Sequence, residues 1–253
     1  LHGKTEDECN RSILEVIRQR TKWYSDVGLT MNSQKTELMG VGFTPLDVSI
    51  GDSIIHPSSE IKFLGTIIQS NLKWDSQIAL LRNKIRSAAA RIRNDGRHFT
   101  VSDRRILFHG WVLGPLHCNG LAFLPTLNKT DMDLLQRAMN AGVRAVVGLP
   151  RYGYAPISEI TNKLGLPTAS KIKDKIMLQA AWKRFHHQPP TFPDDPITQG
   201  CANANIPHAN QKGHFGKTSG SLLIPYWNRL PLSTKLEPDV KKAKRNINTL
   251  LSN

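Results

Sequence analysis

The sequence predicts an α+β fold whose layers follow one another along the chain: a helix, a small antiparallel sheet, then a helical array. Two observations carry this. β-Branched, alternating segments are confined to residues 38–70, and from Asp75 onward apolar residues recur at spacings of three and four. Strands and helices do not alternate, so a doubly wound parallel sheet is excluded.

Taken in order, Thr5 to Val27 is predicted as a helix. Thr5-Glu-Asp-Glu8 is a capping box, Cys9, Ile13, Ile17 and Tyr24 follow at helical spacing, and Gly28 stands where a left-handed cap ends a helix. Leu38–Phe43 and Val48–Ile50 are predicted as strands, with Gly51-Asp52 turning the second into Ser53–Ile55. EIKFLGTIIQS, Glu60 to Ser70, is predicted as one further strand. Ile78, Leu81, Ile85, Ala88 and Ile92 then form the apolar stripe of a long helix, which Asn94-Asp-Gly96 breaks. Helices are expected over 102–113, 130–147, 158–164 and 169–186. Residues 188–219, crowded with Pro, Gly, Asn and Gln, are expected as a loop or disordered linker, before an apolar patch at 222–232 and a basic helix at 239–251. The predicted organisation is therefore 1–74, 75–187, 188–219 and 220–253.

Composition narrows the function. The 253 residues include 34 Lys and Arg against 20 Asp and Glu, for a formal charge of +14. Such a balance favours a polyanionic partner, nucleic acid before an anionic membrane. No apolar run is long enough for a membrane helix, and the opening LHGKTEDECNRS is too polar for a signal peptide. The chain opens on Leu1, which is read as a fragment or processed product. Cys9, Cys118 and Cys201 are odd in number and far apart, so reduced thiols and an intracellular setting, nuclear or cytoplasmic, are expected.

The local charge is sharper than the global one. Between Asn71 and Val112 stand nine Lys and Arg against three Asp and Glu. At about 100° per residue, Arg82, Arg86, Arg93 and Arg97 fall on one edge beside the apolar stripe. A row of guanidinium groups of that kind suits the phosphate backbone of a duplex, without sequence preference. Trp74, Trp111, Trp182 and Phe185, and Trp23 with Tyr24, are expected to be packing residues. The run Lys241-Lys-Ala-Lys-Arg245 is expected to be a solvated helix end.

GLTMNSQKTELM, followed about twenty-five residues later by EIKFLGTIIQSNLKWDSQI, resembles the last palm segments of reverse transcriptases from non-LTR retrotransposons, the jockey-like branch in particular. Tyr226-Trp-Asn-Arg-Leu-Pro231 resembles the W-N-x-L-P near the ends of such proteins. The resemblance implies a remnant of the polymerase palm followed by a helical thumb. It places Asn32, Lys35, Thr36 and Glu37 in the segment whose lysine lies near the incoming triphosphate, where a cation would neutralise charge on the departing pyrophosphate. Phe63, Leu64 and Gly65 match the segment that holds the primer end, and the helices after Asp75 correspond to the thumb.

The implied reaction of the parent enzyme is RNA-templated DNA synthesis with two Mg2+ ions held by paired aspartates. In this family those aspartates come from an earlier strand and from a Y/F-x-D-D hairpin, which this chain is expected to follow. Phe192-Pro-Asp-Asp195 imitates the signature but is flanked by prolines that no hairpin strand would hold. Alone, then, the chain is expected to be inactive, with no cofactor of its own and no metal site. Cys201, His208 and His214 fall short of a zinc set, and Gly213-His-Phe-Gly216-Lys217-Thr218 has the wrong glycine spacing for a P-loop. Expected partners are an RNA–DNA or DNA duplex and the upstream half of the polymerase, with no membrane. The alternatives are a non-catalytic nucleic-acid-binding module and a helical protein that binds an acidic partner.

Overall fold

The computed structural model describes residues 5–150, 155–187 and 219–252. They divide into two compact units, Leu1–Ala79 and Leu80–Asn253. Phe192–Asp195, Cys201, His208, His214 and Gly213–Thr218 lie outside the described residues, as does most of the expected linker.

In the first unit, helix α1 (Glu6–Asp26) starts where Thr5 Oγ1 accepts the Glu8 N–H at 3.2 Å. It ends in a Schellman motif: Gly28, at φ +73°, donates to Ser25 O, and Leu29 donates to Tyr24 O. Only the first half of the helix is anchored. Cys9 and Ile13 are buried, and Ile13 packs with Val48 and Ile50, ringed by Ile17, Met31, Leu38, Phe43 and Ile55. Trp23 corrects the expectation of a packing role, because it is 52% exposed. It lies roughly 9 Å further along the axis than Ile17, past the reach of that small core.

Strands β1 (Val48–Ile50) and β2 (Ser53–Ile55) pair antiparallel around Gly51-Asp52 as expected, with Val48 and Ile50 inward and Ser49 outward. Leu38–Phe43 is not a strand; only Leu38 makes a bridge, to Pro57. The cause is a close fold-back, for a Cβ on Gly40 would stand 2.3 Å from Phe43 O and 2.7 Å from Pro45 Cδ. Nor is Glu60–Ser70 one strand. It is a hairpin of β3 (Glu60–Phe63) and β4 (Thr66–Gln69), turned by Leu64 at φ +47° and Gly65 at φ +85°. Two positive φ values are the geometry of a type I′ turn, whose twist matches that of its strands. The hairpin is tied down by side-chain amides: Gln77 Oε1 accepts from Ile67 N at 2.9 Å and Gln69 Oε1 from Ser76 N at 3.2 Å.

Helix α2 (Asp75–Asp95) carries the predicted stripe, and Ile78, Leu81, Ile85, Ala88 and Ile92 are all buried. The division between the two units falls within this helix. Next comes α3 (Val101–Leu107), opened by a complete Thr100/Asp103 capping box. The Asp103 carboxyl is held below its usual pKa by the side-chain and backbone bonds to Thr100.

The helix expected to stop at Leu113 instead continues, as a π-helical segment over Phe108–Leu113 and then α4 (Gly114–Phe123). Gly114-Pro115 reads as a stop, yet Pro115 occupies the first turn of α4, where a missing N–H does no harm. In a regular helix its ring would meet the carbonyl of Trp111, and the wider π turn accommodates it.

Helices α5 (Lys129–Val146), α6 (Ile157–Lys163) and α7 (Ala169–His187) follow close to prediction. Asn128, two residues before the expected Thr130, caps α5 by accepting from Asp131 N at 2.8 Å. The C-terminal part, α8 (Ser219–Arg229), α9 (Leu232–Lys235) and α10 (Val240–Ser252), is not a separate segment. Its Leu223, Ile224, Trp227, Leu230, Ala243 and Ile247 share one core with Met177, Leu178, Ala181 and Trp182 of α7. Lys235 is drawn in as well, 4% exposed with its ammonium 5.3 Å above the Trp227 ring, and burial lowers its pKa.

Candidate nucleic-acid interface

Helix α2 sets the interface because one face is committed to the core. Its buried residues span an arc of about 100°, and Arg82, Arg93 and Arg86 follow in that order away from the edge of the arc. Exposure follows the same order: Arg82 and Arg93 are half-buried, and Arg86 is open to solvent. Burial of the stems leaves polar atoms unsatisfied. Arg82 Nε and Arg93 Nε and Nη2 are buried with no hydrogen-bond acceptor among the described residues. Such nitrogens are costly to leave unpaired, and no carboxylate among the described residues is paired with Arg82, Arg86 or Arg93, whose outer guanidinium atoms are the ones an anion could meet.

Arg97 is not on that row. The α-helix ends at Asp95, and Arg97 sits in a 3-10 turn, Gly96–His98, so regular 100° spacing no longer places it. It remains exposed, beyond the end of the same helix. Two further basic residues have structural partners. Arg104 donates to the carbonyls of Gly96, Phe99 and Val146 at 3.0, 3.2 and 3.3 Å, tying the end of α5 to the turn after α2. Arg91, on the side of α2 away from the basic row, lies 4.3 Å above the half-buried Trp111 ring and 4.0 Å from Asp95. No local signal links Arg91 to a tryptophan twenty positions on; only the fold brings them together. Of the other aromatics expected in the core, Trp182 is buried, and Trp74 and Phe185 are half-buried.

In the first unit, Asn32 caps the 3-10 turn Ser33–Lys35: its Oδ1 accepts from Lys35 N at 3.2 Å and its backbone O from Thr36 Oγ1 at 2.8 Å. The Lys35 side chain is exposed. Ser33 Oγ donates to Ser53 Oγ at 3.0 Å and so fixes this turn to β2. Phe63, Leu64 and Gly65 sit apart from it, at the tip of the β3–β4 hairpin, with Phe63 60% and Leu64 80% exposed. A leucine at positive φ is strained by about 1–2 kcal/mol. Leu64→Asn should therefore stabilise this unit by about 1 kcal/mol, since Asn-Gly suits the turn. Thermal melts check that gain. If the apolar tip also grips a ligand, the same substitution weakens duplex binding while stability rises.

Two-metal chemistry needs carboxylates gathered at one point, and no group of three or more His, Cys, Asp or Glu among the described residues could hold a metal ion. The described residues do not fit the implied Mg2+ pair, and no reaction step is assigned to them. No helix among the described residues is long and apolar enough to cross a membrane. No family model, curated protein or solved structure matches the chain.

Proposed function

We propose that this chain is the C-terminal part of a non-LTR retrotransposon reverse transcriptase, and that its own work is to hold a nucleic-acid duplex by the phosphate backbone. The observation that carries the binding reading is the α2 edge, where Arg82, Arg93 and Arg86 stand beside a buried stripe and nitrogens of Arg82 and Arg93 have no acceptor among the described residues. Arg82 and Arg93 are held by half-buried stems, so these two lose little side-chain freedom on binding. The resemblance of the first unit to the final palm segments supplies the rest: Lys35 toward a triphosphate and Phe63–Gly65 toward a primer end. Under this reading the chain provides binding surfaces, and the metal-holding aspartates belong to another part of the polymerase.

Titration of the purified chain with a short RNA–DNA hybrid tests it. Three to four phosphate contacts predict a loss of roughly fiftyfold to 150-fold in affinity between 50 and 200 mM salt. Hybrids of equal length and unrelated sequence should bind alike. Affinity that is insensitive to salt would overturn the reading.

A further inference from the structure

The second unit contains a cleft of about 490 Å3 that the backbone-binding reading does not use. Four bases line it: His109 from the π segment, His117 from α4, and Lys171 and Lys175 from α7. The lysines are four residues apart and so share one helix face. The lining from α6, the α6–α7 connection and α10 carries no ionisable side chain; its polar members include Asn162 and Asn248. No carboxylate among the described residues lines the cleft, and Asp174, next to Lys175 in sequence, is paired with Arg229 at 3.6 Å. Leu113 and Ile172, both buried, form an apolar wall.

Four bases facing one space repel one another unless an anion joins them. Both histidines are exposed at the cleft mouth, yet both have lowered pKa values. For His109 the cause is burial first, then Arg105 and Lys175; for His117 it is burial first, then Lys175 and His109. Every charged group acting on the two rings is a base. The arrangement has no negative partner among the described residues, and its volume and apolar wall call for a ligand larger than a bare oxyanion.

We propose that this cleft binds a nucleoside 5′-monophosphate, with the phosphate among His109, His117, Lys171 and Lys175 and the base against Leu113 and Ile172. The nucleotide is either free or the 5′-terminal residue of a strand. The inference rests on the cleft alone, independently of the α2 interface. Its pH dependence follows from sign. In the free protein burial and the neighbouring bases disfavour the protonated histidines, and a phosphate dianion favours them. Binding therefore takes up protons and strengthens as pH falls from 8 to 6.5, on the order of fivefold.

The test follows the imidazole C2–H signals of the full chain by NMR against pH, assigned with His109→Gln and His117→Gln. Adenosine 5′-monophosphate should raise both midpoints, and adenosine should not. A 5′-phosphorylated oligonucleotide is compared with its 5′-hydroxyl form. If only the phosphorylated strand moves the midpoints, the ligand is a strand end; if the mononucleotide does so, a free nucleotide suffices. Either supports the site. Lys171→Gln/Lys175→Gln should weaken binding at least tenfold. Midpoints unmoved by 10 mM mononucleotide and by the phosphorylated strand, or adenosine binding as well as its monophosphate, would overturn the proposal.

Discussion

Trp182→Ala is expected to remove about 3–5 kcal/mol of stability from the second unit, the loss typical of a large aromatic cut from a packed core. Trp182 is 1% exposed and shares its core with residues from α8, α10 and the α8–α9 connection, so the cavity would open where several elements meet. Its Nε1–H also donates to Thr234 O at 2.9 Å. That carbonyl keeps a weaker bond from Glu237 N at 3.4 Å, so losing the indole does not orphan it completely. Trp182→Phe separates the two contributions, since the ring remains and the donor goes. It should cost about 1–2 kcal/mol, the hydrogen bond plus a smaller ring. Urea denaturation of the two variants beside the parent checks both values. A loss below 1 kcal/mol for the alanine variant would mean that the C-terminal helices do not lean on α7. Against a domain stability of about 5–15 kcal/mol, the larger value could leave the second unit only partly folded at 37 °C.

The largest functional effect is expected from Arg82→Gln/Arg86→Gln. If each arginine neutralises one phosphate, the pair contributes about 1.8 to the slope of log affinity against log salt. Affinity for an RNA–DNA hybrid should then fall by roughly 200-fold at 50 mM salt but by only about 20-fold at 200 mM. The change in slope matters more than the loss, because a misfolded variant would not yield a parallel decline toward high salt. Filter binding at four salt concentrations, with circular dichroism to verify helix content, measures it. An unchanged slope would remove α2 from the interface. Glutamine is preferred to glutamate here because Arg82 is half-buried, and a carboxylate would bring its own desolvation cost.

What could be read from the sequence was local. The Thr5 cap, the Gly28 stop and the α2 stripe depend on residues within one or two turns of each other, and each is found as expected. The row of Arg82, Arg86 and Arg93 was legible for the same reason. Arg97 was misplaced because the arithmetic ran on past the end of the helix at Asp95. Alternation suggested strands at Leu38–Phe43 and across Glu60–Ser70, but it does not register a fold-back at Gly40 or a leucine in a hairpin turn. Gly114-Pro115 carried a stop signal that the π segment cancels. The cationic cleft was invisible, because His109, His117, Lys171 and Lys175 come from elements separated by up to sixty-six positions.

The π segment has a consequence for how this protein can change over time. In a regular helix His109 and His117, eight positions apart, would differ by about 80° in azimuth. The wider turn over Phe108–Leu113 advances the chain by fewer degrees per residue and draws the two rings toward one side. The π turn thus takes up one residue more than a regular turn and leaves the helix before and after it nearly in phase. Losing one residue there would restore a regular helix with the two histidines seven positions apart, about 20° from alignment, so both rings would stay on one side. Lineages descended from this sequence should therefore tolerate the loss of one residue across 108–113 with the cleft still lined by both histidines.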